Sequence, residues 1–217
     1  MKAGFPVTGI VYDPIDEYID QLANRGGEAL EAVEKQGHDE DWPIVGHAEG
    51  SLLHILARSV GARRILELGT AIGYSGTWLA RALPPDGELV TVEWDPKTAK
   101  IAARNFERTG VSKRVRIVTG SALEVVPPIK GPFDLVFNDI DKKSYADILP
   151  HCIEKLRVGG LLVTDNVLWS GRVAEVPRKG EAQVIHEYNE RLAADPRMVA
   201  VIVPLRDGVS IALKVRD

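Results

Sequence analysis

Residues 64–80, RILELGTAIGYSGTWLA, decide the architecture. Ile65, Leu66 and Leu68 make a short apolar run of the kind that fills a strand buried on both faces. Gly69 and Gly73 break that run. From Ser75 onward Trp78 and Leu79 return at helical spacing. A strand, a glycine turn and a helix in that order put a helix N-terminus and approachable backbone at the carboxyl edge of a sheet. In open α/β sheets that edge binds small molecules.

Outward from this unit the pattern repeats. Strands are predicted at 64–68, 88–93, 114–119, 133–138 and 160–165, and helices at 75–83, 96–109, 121–126, 142–157 and 180–194. Asp95-Pro96 opens the second helix and Gly110 stops it. Strands 198–204 and 209–215 follow, joined by the tight turn Arg206-Asp207-Gly208. Strands alternating with helices predict an α/β fold, a mostly parallel sheet with helices on both faces. Three helices lie ahead of it. One starts at Asp13-Pro14, read as cap and first helical residue, with Ile15, Tyr18, Ile19 and Leu22 on one face. The others span 28–35 and 47–60, with a loop from Gly37 to Pro43. The expected organisation is one domain, 1–217, with a helical cap at 1–60 and a Rossmann-like core at 61–217.

Composition narrows the classes. The chain has 217 residues, 45% hydrophobic and 27% charged, enough for a full core. A net charge of −4 argues against nucleic acid as the main partner. No apolar run reaches the roughly 20 residues of a membrane helix, and MKAGFPVTGI lacks the apolar stretch of a secretion signal. The single cysteine, Cys152, allows no internal disulfide. These features together predict a cytoplasmic protein.

The glycine turn departs from the dinucleotide pattern G-x-G-x-x-G. Here it reads Glu67-x-Gly69-x-x-x-Gly73, with no third glycine and no basic residue, so it need not cradle a phosphate. S-adenosylmethionine (SAM) has none, and Glu67 suits its cationic portion. Glu93 ends the next strand, where a carboxylate accepts from a ribose diol. Ser121 and Ala122 follow the third strand and can line an adenine slot. The plainer alternative makes the glycines mere turn residues and Glu93 a solvated cap.

A second cluster lies further on. In FDLVFNDIDKKSY, residues 133–145, Asp139 falls at the end of the fourth strand; Asp165-Asn166 falls at the end of the fifth. Two carboxylates and an amide oxygen on one sheet edge suit a hard divalent cation, Mg²⁺ or Ca²⁺, and no Cys/His spacing suggests zinc. Lys142, three residues after Asp139, is a candidate general base. Each residue alone has a plainer reading: Asp139 or Asp141 as a helix cap, Asp165-Asn166 as a turn, Lys142 as a solvated cation. The 166–179 loop is long for a compact domain. Its Trp169 is either an aromatic wall for a flat substrate or an anchor for the loop.

The stretches ILELGTAIGYS, TVEWDP, DIDK at 139–142 and TDNVLWSG at 164–171 together resemble the cation-dependent class I O-methyltransferases. That group includes the catechol and caffeoyl-CoA enzymes, and the resemblance runs from about Tyr12 to the C-terminus. It implies a seven-stranded sheet ordered 3-2-1-4-5-7-6 with the last strand antiparallel, and a homodimer. It implies methionyl-binding elements at Val45, Glu67, Gly69 and Ser75, with Tyr74 as the aromatic of the glycine loop. Glu93 becomes the ribose acid, and Ser121 and Ala122 the adenine site. Asp139, Asp165 and Asn166 become ligands of a divalent metal (Mg²⁺, or Ca²⁺ or Mn²⁺), with Lys142 and Asp139 catalytic. The implied substrate is a small aromatic vicinal diol, with no nucleic acid and no membrane involved. Three features stand outside this pattern: His47 and Glu49 in IVGHAEG at 44–50, polar Asn138 ahead of the metal aspartate, and a late loop acid matched by position alone to Glu175. Arg172, Arg178 and Lys179 are candidate contacts for a CoA ester. Rival readings are a methyltransferase for an amine, RNA or protein acceptor, a nicotinamide oxidoreductase, and a non-catalytic binding module.

Overall fold

The computed structural model describes residues 10–217; residues 1–9, the start of the expected cap and the segment read for a secretion signal, lie outside them. The apolar run at 65–68 becomes β1 (Arg64–Leu68), followed in the chain by β2 (Glu88–Glu93), β3 (Val115–Thr119), β4 (Phe133–Asn138), β5 (Leu156–Thr164), β6 (Met198–Val203) and β7 (Val209–Lys214). They form one seven-stranded sheet in the order β3-β2-β1-β4-β5-β7-β6. The first five strands are parallel, and β7 runs antiparallel to both β5 and β6. Order and strand directions agree with expectation.

The sheet lies between helix layers because its central strands are apolar on both faces. Successive side chains of a strand point to opposite sides. Ile65, Leu135, Phe137 and Val163 therefore enter one core, with Leu53, Leu79 and Phe106. Leu66, Leu68, Val136 and Leu162 enter the other, with Tyr145, Ile148 and Ile185. The cap helices α1 (Asp13–Leu22), α2 (Glu28–Asp39) and α3 (Gly46–Ser59) precede α4 (Tyr74–Ala82) and α5 (Pro96–Arg108). Residues of α2 to α5 build the first core. Residues from α6 (Ala122–Val125), α7 (Tyr145–Lys155) and α8 (Glu181–Ala194) join the second.

Several boundaries differ from the sequence reading. The second helix runs to Asp39, through Gly37, which the sequence assigns to a loop. Ile44 folds back onto Gly37 so closely that a Cβ there would stand 2.8 Å from its Cδ1. Tyr12, not Asp13, caps α1, and Asp13 is its first helical residue. The helix expected from 142 splits into a 3₁₀ turn, Lys142–Ser144, and then α7. Strand β5 begins at Leu156 instead of 160, its start tied to β4 by Arg157 Nε donating to Asp134 Oδ1 at 2.6 Å.

Glu67 and Ser75, expected against a bound cofactor, are hydrogen-bonded to each other at the end of β1 and do not line the cavity at the sheet edge. Glu67 is fully buried; its two carboxylate oxygens accept from Ser75 Oγ at 2.7 Å and Thr91 Oγ1 at 2.6 Å. The carboxylate thus joins β1 to the first turn of α4 and to β2. Burial, offset in part by the two hydroxyls, pushes its pKa up from 4.5 to about 7. Glu67 therefore binds its proton more tightly folded than unfolded. Its contribution to stability is complete below about pH 4.5 and is lost as pH rises through about 7.

Two outcomes follow from this packing. Gly50 of α3 faces Trp78 of α4, and a Cβ at position 50 would lie 2.2 Å from Trp78 Nε1. Gly50→Ala is expected to overpack the contact between cap and core and to cost about 1–3 kcal/mol in urea denaturation. Glu67→Gln is expected to flatten the stability profile: between pH 5 and pH 8 the wild type loses on the order of 2 kcal/mol more than the variant in paired urea titrations.

Candidate active site

The carboxyl ends of the parallel strands open onto a cavity of about 1150 Å³. That exceeds the common range of roughly 300–1,000 Å³ for a single small-ligand site. Its two halves are joined at one close backbone contact. Asp139 N donates to Leu68 O at 2.8 Å, bringing the ends of β1 and β4 together. A Cβ on Gly69 would stand 2.3 Å from Asp139 O, and Gly69 has φ +97°. Only glycine fits there, on grounds of space and of backbone angle.

One half is walled by Gly69, Glu93, Ser121 and Ala122, the residues expected at a cofactor. Glu93 is buried, and its carboxylate is held by backbone: Oε2 accepts from Ala71 N at 2.9 Å and Oε1 from Asp95 N at 3.1 Å. Burial raises its pKa, while these N–H groups draw it down. A carboxylate has about four acceptor positions, so two remain for a diol. This donor–acceptor inventory fits an adenosyl ribose. Val45 and Tyr74 do not line the cavity; both are buried in the first core. Tyr74 opens α4 with its backbone and packs its ring inward, 2% exposed.

Asp139, Lys142, Asp165 and Asn166 line the other half. Lys142 Nζ donates to Asp139 Oδ1 at 2.7 Å and to Ile140 O at 3.3 Å, and stands 5.0 Å from the centre of the Tyr145 ring. Asp165 is 3% exposed, and its backbone carbonyl accepts from Tyr145 Oη at 2.9 Å. Burial, and after it the negative charge of Asp139, push the Asp165 carboxyl up to about 7. Asn166 takes φ +56°, a left-handed value that asparagine tolerates better than most residues. Two carboxylates and an amide oxygen are the donor chemistry that Mg²⁺ or Ca²⁺ accepts. Among the described residues, no three His, Cys, Asp or Glu side chains form a metal-binding group. The candidate set therefore rests on two acids and one amide.

The remaining sequence candidates separate. Trp169 lines the cavity and also packs against the second core, so it serves as wall and anchor together. Arg172 stacks on it, 5.1 Å from the ring centre. Glu175 is exposed and outside the cavity lining. Asp141 lines the cavity but does not cap the 3₁₀ turn with its side chain. Asn138 is fully buried with neither side-chain atom hydrogen-bonded.

Four lining residues were not named as site candidates from the sequence: Trp42, Ile44, Trp94 and Arg206. Trp94 directly follows Glu93 and is 78% exposed. Arg206 was legible in principle. An antiparallel last strand returns its preceding turn to the carboxyl edge, so 205–208 must border the site.

The comparisons agree with this geometry. The O-methyltransferase family model matches residues 24–215. A catechol O-methyltransferase of Niastella koreensis is 34% identical over 215 residues, covering 94% of this chain and 97% of its own. A caffeoyl-CoA O-methyltransferase of Eucalyptus gunnii is 29% identical, over 77% of this chain and 72% of its own. Among solved structures, the O-methyltransferase TomG of Streptomyces achromogenes, involved in tomaymycin synthesis and in complex with SAM, superposes with a TM-score of 0.85. It is 36% identical and covers 94% of this chain and 96% of its own. With the family model matching residues 24–215 and a catechol O-methyltransferase 34% identical over 94% of the chain, the chain belongs to the O-methyltransferase family.

Proposed function

We propose that this protein transfers the methyl group of SAM to one hydroxyl of an aromatic vicinal diol, with a divalent cation beside the acceptor. The observation that carries this reading is the single cavity shared by a diol-accepting acid, Glu93, and an oxygen-donor cluster, Asp139, Asp165 and Asn166. The catechol and caffeoyl-CoA names of the relatives point to the same acceptor class.

Each group then has a task. Glu93 holds the ribose of the methyl donor, and Gly69 lets the donor lie against the backbone. Asp139, Asp165 and Asn166 would hold the cation, most simply Mg²⁺. When bound, such a cation would favour the ionised form of the acceptor hydroxyl, as a bound metal ion lowers the pKa of water. Lys142 Nζ, in its neutral amine form, is the proton acceptor for the reacting hydroxyl, and Asp139 Oδ1, 2.7 Å away, holds the resulting ammonium. Trp169 supplies a flat wall for the ring. The rest of the acceleration comes from placing oxygen and methyl carbon about 3–3.5 Å apart and in line.

The exposed apolar residues of α1, Ile15, Tyr18, Ile19 and Leu22, form the surface on which two copies would pair. Among the described residues no helix is long and apolar enough to cross a membrane.

Lys142→Ala is expected to lower kcat on the order of 10²–10⁴-fold while SAM affinity by calorimetry stays within about threefold. Unchanged turnover would remove Lys142 from the mechanism. EDTA is expected to abolish methylation of a catechol panel and added Mg²⁺ to restore it; full turnover in chelator would sink the metal reading.

A further inference from the structure

Arg206 lies in the turn between β6 and β7 and lines the cavity. Three of the five N–H donors of its guanidinium are used within the protein. Nη1 donates to Val45 O at 2.5 Å and to Glu49 Oε2 at 3.0 Å, and Nη2 donates to Ile44 O at 3.1 Å. One planar fork thus gathers three oxygens from the cap segment 44–49, about 160 residues earlier in the chain. Ile44, and Trp42 and Pro43 ahead of it, form a wall of the cavity.

Three further observations set this contact apart from an ordinary surface pair. Glu49 is fully buried, and its second oxygen, Oε1, has no hydrogen-bond partner. Its counter-charge is therefore Arg206, since the other charges acting on it include the acids Asp165 and Asp139. Arg206 also has φ +50°, a left-handed conformation that glycine adopts freely and arginine does not. Strain of this kind persists where the surrounding structure overdetermines it, and it clusters at functional sites. Finally, the same turn braces the opposite side of the cavity. Leu168 N donates to Asp207 O at 3.0 Å, Val167 N to Gly208 O at 3.0 Å, and Ser170 N to Asp207 Oδ1 at 2.5 Å. The turn thereby grips the loop that follows Asp165-Asn166 with its backbone and the cap with its arginine.

We propose that Arg206 is a positioning residue, a latch that with Glu49 holds the cap segment 42–49 over the cavity. The inference rests on the reading of that cavity as a SAM site. A role as a direct anion binder is disfavoured because three of the five N–H donors of Arg206 are already directed at protein oxygens.

The test is calorimetric titration of SAM into the wild-type chain and three variants. Glu49→Gln with Arg206→Gly removes both charges of the pair together and puts glycine where φ is positive. A native circular dichroism spectrum and a single cooperative melt confirm that the double variant folds. Its SAM Kd is expected to rise at least tenfold. Arg206→Lys keeps the charge facing Glu49 but loses the fork, and is expected to fall between wild type and the double variant. Glu49→Gln alone keeps an acceptor for Arg206 and is expected to raise Kd less than threefold. A folded double variant that binds SAM like the wild type overturns the latch and leaves the functional reading intact. A wild-type chain that does not bind SAM overturns both.

Discussion

The site depends on one close contact, between Gly69 at the end of β1 and the backbone of Asp139 at the end of β4. A methyl group at position 69 would stand 2.3 Å from the Asp139 carbonyl oxygen, a distance no Cβ tolerates. With that methyl group absent, Asp139 N reaches Leu68 O and the two strand ends close up. The glycine turn then borders the strand-end acids directly. Had the strands parted here, the two halves of the cavity would be separate pockets, and a donor in one would not face an acceptor in the other.

Around that contact, charge is distributed unequally. Glu67, Glu93, Asp165 and Glu49 are all acids buried near one sheet edge, and burial raises the pKa of each. What relieves them differs. Glu67 has two hydroxyls, Glu93 has backbone N–H groups, and Glu49 has Arg206. Lys142 bonds to Asp139, leaving Asp165 with a backbone N–H from Asn166 as its own acceptor contact. An acid already satisfied by hydroxyls in the core is a structural joint. An acid on the cavity wall with acceptor capacity left over is available to a ligand. By that distinction the Glu67 carboxylate is occupied within the fold, and Glu93, Asp139 and Asp165 line the cavity.

The legible parts of the sequence were those governed by local rules. Strand positions and sheet edge followed from apolar runs ended by glycine or an acid. Asp95 caps α5 as its Asp-Pro pair suggests, its side chain accepting from Lys97 N and Thr98 N. The positions where reading and structure part all depend on distant partners. Helix α2 continues through Gly37 because Ile44 covers it. Tyr74 and Val45 turn inward because the cap packs on α4. Glu67 and Ser75 find each other across eight residues, and no spacing rule distinguishes that pairing from two ligand contacts.

The sequence alone determined that strand-end residues would meet at one edge, because a parallel sheet with helical crossovers leaves strand ends no other arrangement. Hence Glu93, Asp139 and Asp165 were identifiable from their positions at the ends of apolar runs. Only the tertiary structure decided which side chains on that edge face the cavity and which are consumed by the core, because this depends on what packs above them. It also decided that Arg206 reaches back to Ile44, Val45 and Glu49. A contact spanning most of the chain is created by the closing of the sheet and the docking of the cap, and leaves no periodicity in the sequence to announce it.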